Sequence, residues 1–299
     1  MAKILITGGS GLIGRALSAK LLINGHQVVW LSRTPGKWKG IDIFKWDPKK
    51  SFIDTDSLSD ITHVINLAGT SIAAKRWTRS FKSEILESRI NAAELLLDEI
   101  VKSGIKVEKF IGISAVGIYG INNSKLVLNE EAPVGDDFLA QTCLKWEKVY
   151  QKYMAAGIPT SILRVGVVLD KNGGIFPQLQ KSGKFGLGIY FENGQSLSWI
   201  HVDDLCEMFL FLLNDKTNSI FNATAENVTY AELTNNLLAG KGGLQVKINV
   251  PKFLIKILLG EKSNLLLQGP KIDNRKIKNY GFKFKYESLY AAINQLLNN

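Results

Sequence analysis

Short apolar runs alternate with helix-like segments over the first half of the chain, and each run ends in polar or glycine-rich sequence. Runs of this length, rich in β-branched residues and leucine, are typical of buried strands. They predict strands near Lys3–Thr7, Gln27–Leu31, His63–Leu67, Lys109–Ser114 and Thr160–Val165. The segments between the runs have the apolar spacing of amphipathic helices. They predict helices at Arg15–Ile23, Lys82–Lys102 and Leu139–Ala155.

This alternation predicts an α/β fold, a Rossmann-type doubly wound parallel sheet with helices on both faces. In the second half of the chain the strands and helices no longer alternate regularly. A glycine-rich segment at 183–194 precedes a predicted helix at 202–213, and short elements follow. We therefore expect a dinucleotide-binding domain over residues 1–165, with a return contribution from about 197–225. A smaller C-terminal substrate domain is expected over residues 166–299.

A glycine turn follows the first predicted strand, with the spacing G-x-x-G-x-x-G at Gly8, Gly11 and Gly14. A strand, a tight glycine turn and a helix together form a cradle for a pyrophosphate, because small residues let the backbone approach and the helix N-terminus offers free N–H groups. Leu12 and Ile13 stand where those N–H groups are expected. A purely structural glycine turn is the alternative, but the position directly after a buried strand favours nucleotide binding.

The end of the second strand indicates which nucleotide is bound. In an NAD site an acidic residue near this position bonds the ribose 2′-hydroxyl. Here Ser32 and Arg33 occupy the place, and no acid occurs from position 28 to position 39. A hydroxyl and a guanidinium suit a 2′-phosphate, so the sequence favours NADP(H) over NAD, with a solvated arginine as the alternative.

Composition narrows the class of protein. The chain has 299 residues with 45% hydrophobic and 21% charged residues, which is typical of a globular protein, and no apolar stretch is long enough to span a membrane. Two cysteines, Cys143 and Cys206, do not make a disulfide framework, so we expect a cytoplasmic protein. The three histidines show no metal-ligand spacing, and no metal site is expected.

The formal net charge is +10, and segment 241–285 alone holds eleven basic residues against two acids. Such a region can attract nucleotides or nucleic acid. Its lysines are spread through apolar sequence without a groove-binding motif, so a solvated basic face is favoured and no specific nucleic acid partner is expected.

Several motifs together resemble the extended short-chain dehydrogenase/reductases, the group of nucleotide-sugar epimerases and dehydratases. These are Thr-Gly-Gly-Ser-Gly-Leu-Ile-Gly (7–14), Asn-Leu-Ala-Gly (66–69), Ser-Ala-Val-Gly-Ile-Tyr-Gly (114–120), Leu-Arg-Val-Gly-Val-Val-Leu (163–169) and Trp-Ile-His-Val-Asp-Asp-Leu (199–205). Within that group the chain is similar to the "epimerase family" proteins with a distinctive C-terminal domain. Their signatures stand as Ser-Arg-Thr-Pro (32–35), Arg-Trp (76–77) with Ser-Arg (88–89), Lys-Trp-Glu (145–147) and Gly-Phe-Lys-Phe-Lys-Tyr (281–286).

The resemblance implies roles for residues beyond the glycine turn and the 2′-phosphate position. Asp47 matches an acid that meets the adenine edge in relatives, although the spacing here is loose. Leu67, Ala68 and Gly69 match the turn that follows the fourth strand of the group's sheet and lies beside the cofactor. Glu84 stands in the helix that follows this turn.

The same helix carries Arg89, which the resemblance places within reach of a cofactor ribose or phosphate. Ser114 matches the serine at the end of the next strand and is the candidate catalytic residue. Arg164 and His201 belong to the set of polar residues expected around the cleft, and Arg164 is counted among the cofactor-binding candidates.

The chain departs from the group at the proton-transfer pair. These enzymes normally use Tyr-x-x-x-Lys, whose tyrosine moves the hydroxyl proton while hydride passes to nicotinamide. No tyrosine here has a lysine four residues later, and the expected pair falls on Leu139 and Cys143. A lone cysteine on a helix is more often a core residue than a proton carrier.

Two functions are consistent with this pattern. The first is an NADP(H)-dependent oxidoreductase or epimerase acting by hydride transfer on a polar sugar, with a nucleotide-linked sugar as the narrower alternative. The second is an NADP(H)-binding sensor or regulatory protein with little or no turnover, which the missing pair favours. We expect a small-molecule partner and no membrane, and a homodimer is left open.

Overall fold

The computed structural model describes residues 1–120, 126–184, 187–191, 196–239, 246–251, 253, 255, 257, 260–263 and 269–298. Parts of the glycine-rich segment 183–194 and of the basic segment 241–285 therefore lie outside the described residues.

The strands, numbered in chain order, are β1 (Lys3–Thr7), β2 (Gln27–Ser32), β3 (Gly36–Trp38), β4 (Ile41–Asp47), β5 (Phe52–Ile53), β6 (His63–Asn66), β7 (Lys109–Ala115), β8 (Val127–Leu128), β9 (Thr160–Val165), β10 (Val167–Asp170), β11 (Gly173–Gly174), β12 (Leu187–Phe191), β13 (Ser196–His201), β14 (Ser219–Ala223), β15 (Asn227–Thr229), β16 (Val246–Val250) and β17 (Lys271–Ile272). The α-helices are α1 (Leu12–Ile23), α2 (Arg79–Ser103), α3 (Phe138–Ala155), α4 (Phe176–Lys184), α5 (Val202–Leu212), α6 (Tyr230–Leu238), α7 (Arg275–Asn279) and α8 (Leu289–Asn298).

The main sheet has nine strands within the described part of the chain, in the order β14-β9-β7-β6-β1-β2-β4-β3, with β5 paired to β4. β1 runs parallel to β2 on one side and to β6 on the other, and the pairs β2–β4 and β6–β7 are also parallel. The chain thus builds outward from β1 in one direction and then returns to build in the other. This reversal beside β1 is the switch point where open α/β sheets bind their ligands.

Helices cover both faces of this sheet. On β2 the Trp30 indole donates a hydrogen bond to Ser18 Oγ of α1 at 2.8 Å. The neighbouring residues of the strand, Val29 and Leu31, point the other way and share a buried core with α2 and α3. The predicted doubly wound α/β fold is therefore confirmed.

The described chain divides into two compact units with interleaved boundaries. Unit 1 comprises residues 1–115, 141–164 and 206–221, and unit 2 comprises residues 116–140, 165–205 and 222–299. The functional division expected from the sequence, residues 1–165 with a return contribution from about 197–225 and a substrate domain over 166–299, stays a prediction. Residues 116–140 group with the later chain because β8 pairs with β17 and Tyr119 donates a hydrogen bond to Asn222.

Unit 2 has its own core, in which a four-stranded sheet of order β11-β10-β13-β15 packs with α6 and α8. Unit 1 contains the main core under β1, β2 and β6, together with all the candidate cofactor residues. Within the described residues, no helix has the length and hydropathy needed to cross a membrane.

Candidate functional site

The turn after β1 is closed by glycines that no other residue could replace. Gly8 has φ +70°, and a Cβ there would lie 2.7 Å from the Leu67 carbonyl oxygen. A Cβ on Gly14 would lie 2.5 Å from the Gly8 oxygen and 2.6 Å from the Gly9 Cα. These contacts involve backbone atoms, so the close approach of the turn to both α1 and the β6 turn requires hydrogen side chains.

Gly11 is different, because it is exposed and a Cβ there would meet only the Gly8 oxygen at 3.2 Å. Gly11 is the N-cap of α1 and provides no side-chain cap, and the first turn carries no acid. The N–H groups of Leu12, Ile13 and Gly14 are those that a helix leaves without intrahelical partners. Open space in front of unpaired donors and a positive helix end fits a pyrophosphate.

A tryptophan supports the turn from below. A Cβ on Gly9 would lie 2.4 Å from the Trp30 ring. Trp30 stacks on Trp38 of β3, with ring centroids 4.8 Å apart and planes at 25°. The glycine turn therefore rests on a side-chain surface as well as on the backbone of the β6 turn.

The predicted 2′-phosphate residues lie at the carboxyl end of β2. Arg33 is exposed and makes no hydrogen bond or ion pair with any described residue, while Ser32 Oγ accepts a bond from the Thr34 N–H at 3.5 Å. Lys45, which the sequence pattern does not single out, is exposed and is the register partner of Ser32 in parallel β4. Register partners in parallel strands share a face, so a second cation lies beside this position.

Asp47 lies at the end of β4, one strand beyond the 2′-phosphate position. It is the N-cap of a short 3₁₀-helix, and its Oδ1 accepts a hydrogen bond from the Lys49 N–H at 3.1 Å. The structure thus gives this acid a capping role, and its contact with an adenine edge stays a prediction.

The turn after β6, which contains Leu67 and Ala68, is held by an asparagine that sequence analysis did not single out. Asn66 Oδ1 accepts hydrogen bonds from Thr7 Oγ1 at 2.6 Å and from the Ala68 N–H at 3.2 Å. Its Nδ2 donates to the Tyr150 hydroxyl at 3.2 Å. A buried amide at the end of an apolar strand was the available signal, because such a group needs partners.

Arg89 of α2 lies directly under this turn. A Cβ on Gly69 would lie 3.1 Å from the Arg89 Cζ. The Arg89 Nη1 donates to the carbonyl oxygens of Thr70 at 3.1 Å and Ile85 at 2.8 Å. Glu84, one turn and a half earlier, forms an ion pair with Lys75 at 3.7 Å. The structure therefore brings Arg89 to the predicted turn and gives Glu84 a partner in the loop.

Ser114 and Cys143 lie together at the carboxyl end of β7. Ser114 Oγ is buried and makes no conventional hydrogen bond with a described residue, and the Cys143 thiol interacts with it weakly. Burial, and then the Glu147 carboxylate, raise the pKa of Cys143 to about 11, against the lowering effects of Arg89, Ser114 and Ala115. The thiol is therefore protonated at neutral pH and cannot replace the lysine of the missing pair.

Arg164 of β9 is held by a carboxylate. Its Nε donates to Glu147 Oε1 at 3.0 Å and its Nη2 to Glu147 Oε2 at 2.9 Å. Both side chains are buried, with 7% and 5% of their surfaces exposed. This bidentate geometry gives Arg164 a partner within the protein, and its predicted contact with a cofactor stays a prediction.

His201 belongs to unit 2. Its Nε2 forms a hydrogen bond with Gln295 Oε1 at 2.9 Å, and the centroids of the His201 and Tyr286 rings are 4.1 Å apart. Burial lowers the pKa of His201, against the raising effect of Asp203. The ring joins β13 to the C-terminal helix α8, which indicates packing within this unit.

Comparisons with known proteins agree with this arrangement. Residues 4–224 match the model of the NAD-dependent epimerase/dehydratase family, and residues 250–296 match a domain of unknown function, DUF1731. The chain is 35% identical over 298 residues to the epimerase family protein YfhF of Bacillus subtilis, covering 98% of this chain and 97% of that one.

Solved structures agree as well. Human epimerase family protein SDR39U1 (isoform 2), crystallised with NADPH, superposes with a TM-score of 0.85 at 27% identity over 99% of both chains. A nucleoside-diphosphate sugar epimerase from Corynebacterium glutamicum superposes with a TM-score of 0.78 at 29% identity, covering 99% of this chain and 58% of that one. The resemblance predicted from the motifs is confirmed, and the chain belongs to the NAD-dependent epimerase/dehydratase family.

Proposed function

We infer that unit 1 binds NADP(H). The observation that carries this proposal is a pair of features after two neighbouring strands, β1 and β2. After β1, the N-terminus of α1 has no side-chain cap, and the space beside Gly11 is open. After β2, Arg33 is exposed and its loop contains no acidic residue. The first feature suits a pyrophosphate and the second a 2′-phosphate. The NADPH in the crystal structure of SDR39U1 supports the same choice.

Each predicted residue has a role in this proposal. The N–H groups at 12–14 would bind the pyrophosphate, and Ser32 and Arg33 the 2′-phosphate. Asp47 would border the adenine, and the 67–69 turn with Arg89 would border the other half of the cofactor. Glu84 would contribute to cofactor binding through its ion pair with Lys75. Arg164 would contribute to cofactor binding through its ion pair with Glu147.

The proposed activity is hydride transfer on a polar sugar, as an oxidoreductase or an epimerase, and the name of the similar Corynebacterium protein favours a nucleotide-linked sugar. The bound cofactor would supply the hydride donor and acceptor. Ser114, whose buried hydroxyl makes no conventional hydrogen bond with the described protein, is the group we assign to the substrate oxygen. Two buried cysteines that form no disulfide within the described residues support a reducing, cytoplasmic location.

A sensor without turnover is the second candidate, and Cys143 favours it. The residue in the place of the catalytic lysine is a buried thiol whose pKa is raised to about 11, so it neither carries charge nor accepts a proton at neutral pH. General acid–base assistance is worth about 10²–10⁴ in rate, and its loss would leave a binding protein with little chemistry.

Titration of NADPH and NADH tests the shared part of both candidates. We expect NADPH to bind more tightly, and Arg33→Ala to weaken NADPH by about tenfold or more through loss of one charge-assisted contact of roughly 1.5–3 kcal/mol, with NADH unchanged. Lys102→Ala, an equal charge change at the far end of α2, is the control. Equal affinities for the two nucleotides would refute the NADP(H) assignment.

The two candidates are then separated by turnover. Oxidation of bound NADPH by a panel of nucleotide-sugars, aldehydes and ketones would favour the enzyme. Tight NADPH binding with no turnover on the whole panel would favour the sensor.

A further inference from the structure

Arg89 has donors that the protein leaves unused. A guanidinium carries N–H groups on three nitrogens. In Arg89, Nη1 makes both hydrogen bonds, to Thr70 and Ile85. Neither Nε nor Nη2 donates to any residue that the structure describes. More than half of the hydrogen-bonding capacity of this side chain is therefore available to a ligand.

The charge of Arg89 is also uncompensated. Burial lowers its pKa, and the groups that act in the opposite direction are Cys143 and Tyr150, both neutral at pH 7. The carboxylate of Glu147, on the same helix as Cys143, is engaged in two hydrogen bonds with Arg164. Within the described chain no acid forms an ion pair with Arg89. Burying a cation without a counter-charge is costly, and the two carbonyl oxygens satisfy only one of the three guanidinium nitrogens, so oxygen atoms of a ligand at Nε and Nη2 would lower that cost.

The position of Arg89 indicates which part of a nucleotide supplies those oxygens. The guanidinium lies against Gly69 at the end of β6 and over the Trp146 ring, with its Cζ 5.1 Å from the ring centroid. β6 lies on the opposite side of β1 from β2. A dinucleotide whose pyrophosphate is at α1 and whose 2′-phosphate is at Arg33 extends its second ribose toward β6.

The absence of the family's usual lysine indicates a chemical role for Arg89. In the family's usual pair a lysine would stand at position 143, and the cation would come from α3. Here Cys143 is uncharged, and the cation whose charge acts on it is Arg89, which comes from α2. We propose that Arg89 takes over the lysine's cationic role by donating hydrogen bonds from Nε and Nη2 to the hydroxyls of the nicotinamide ribose. This proposal rests on the NADP(H) function inferred above.

Two ligands test it, NADPH and 2′-phospho-ADP, which contains both phosphates of the pyrophosphate but no second ribose. Arg89→Met is expected to weaken NADPH by about tenfold or more, the loss of a hydrogen bond to a charged group, and to change the affinity for 2′-phospho-ADP by less than about twofold. Arg33→Ala is expected to weaken both ligands. Arg79→Ala, an exposed arginine in the same helix, is the matched control and should affect neither.

A measurement on the unmodified protein covers the case in which Arg89→Met does not fold. Phenylglyoxal labels accessible arginines, and mass spectrometry follows the modification of Arg89. NADPH should protect Arg89, and 2′-phospho-ADP should protect Arg33 but not Arg89.

The outcomes separate this proposal from the one it rests on. If the wild-type protein binds neither ligand, the NADP(H) function itself is refuted. If it binds NADPH, but Arg89→Met retains the wild-type affinity or loses both ligands equally, only the ribose assignment is refuted. Protection of Arg89 by both ligands alike would have the same meaning.

Discussion

Removing one partner of the Arg164–Glu147 pair should destabilise the protein strongly. Arg164→Met leaves the Glu147 carboxylate with 5% of its surface exposed and without the guanidinium that satisfies both oxygens. An uncompensated buried charge of this kind costs about 3–5 kcal/mol in the free energy of unfolding. A pair of exposed residues would contribute only about 0–1 kcal/mol, so the predicted loss depends directly on the burial of both side chains.

Urea unfolding followed by tryptophan fluorescence measures this cost. The double variant Arg164→Met/Glu147→Met replaces both charges by apolar side chains of similar length, and we expect it to regain at least half of the loss. Its NADPH affinity is a separate readout of the proposed role of Arg164 in cofactor binding, and an affinity equal to that of the wild type would mean that the pair acts on stability alone. A loss below about 1 kcal/mol in Arg164→Met, or a double variant no more stable than the single one, would refute the reasoning. Weak NADPH binding by a stable double variant would instead support a cofactor contact for Arg164.

Three further results are expected. Gly11→Val should retain the fold but lose NADPH binding, whereas Gly14→Ala should lower stability by about 1–3 kcal/mol or more, because its Cβ meets backbone at 2.5 Å; equal stabilities by circular dichroism would contradict this contrast. Since folding raises the Cys143 pKa from 9.0 to about 11, the stability that the thiol contributes is lost as pH rises through that window, and Cys143→Ala should lack this loss. Ser114→Ala should keep wild-type stability and NADPH affinity, because the hydroxyl makes no conventional hydrogen bond with the described residues, but should reduce turnover wherever a substrate is found.

Most elements of the main sheet could be predicted because each buried strand is a short apolar run between turns. β4 was missed, since Asp42 and Lys45 interrupt its apolar residues and it is reached by the short strand β3 rather than by a helix. Missing β4 also hid the position of Lys45 beside Ser32. The pattern predicts the start of α1 three residues late, because Leu12–Gly14 follow a glycine N-cap that carries no side-chain signal.

The candidate site shows the same division between local and distant information. The glycine turn and Arg33 are local signals and were found directly. The amide of Asn66 at the end of an apolar strand indicates that it needs partners, but these are Thr7 and Tyr150, which lie 59 and 84 residues away along the chain. Pairings over such distances depend on packing, and a hydrophobic pattern carries no information about them.

The position of Trp30 under Gly9 determines how this turn can vary in evolution. A Cβ at position 9 would collide with a side chain, at 2.4 Å, and a smaller residue at position 30 could remove that collision. Gly8 and Gly14 face backbone atoms, and no substitution elsewhere can make room for them. Positions 9 and 30 are therefore expected to change together among homologues, with a larger residue at 9 accompanied by a smaller one at 30, while positions 8 and 14 stay fixed.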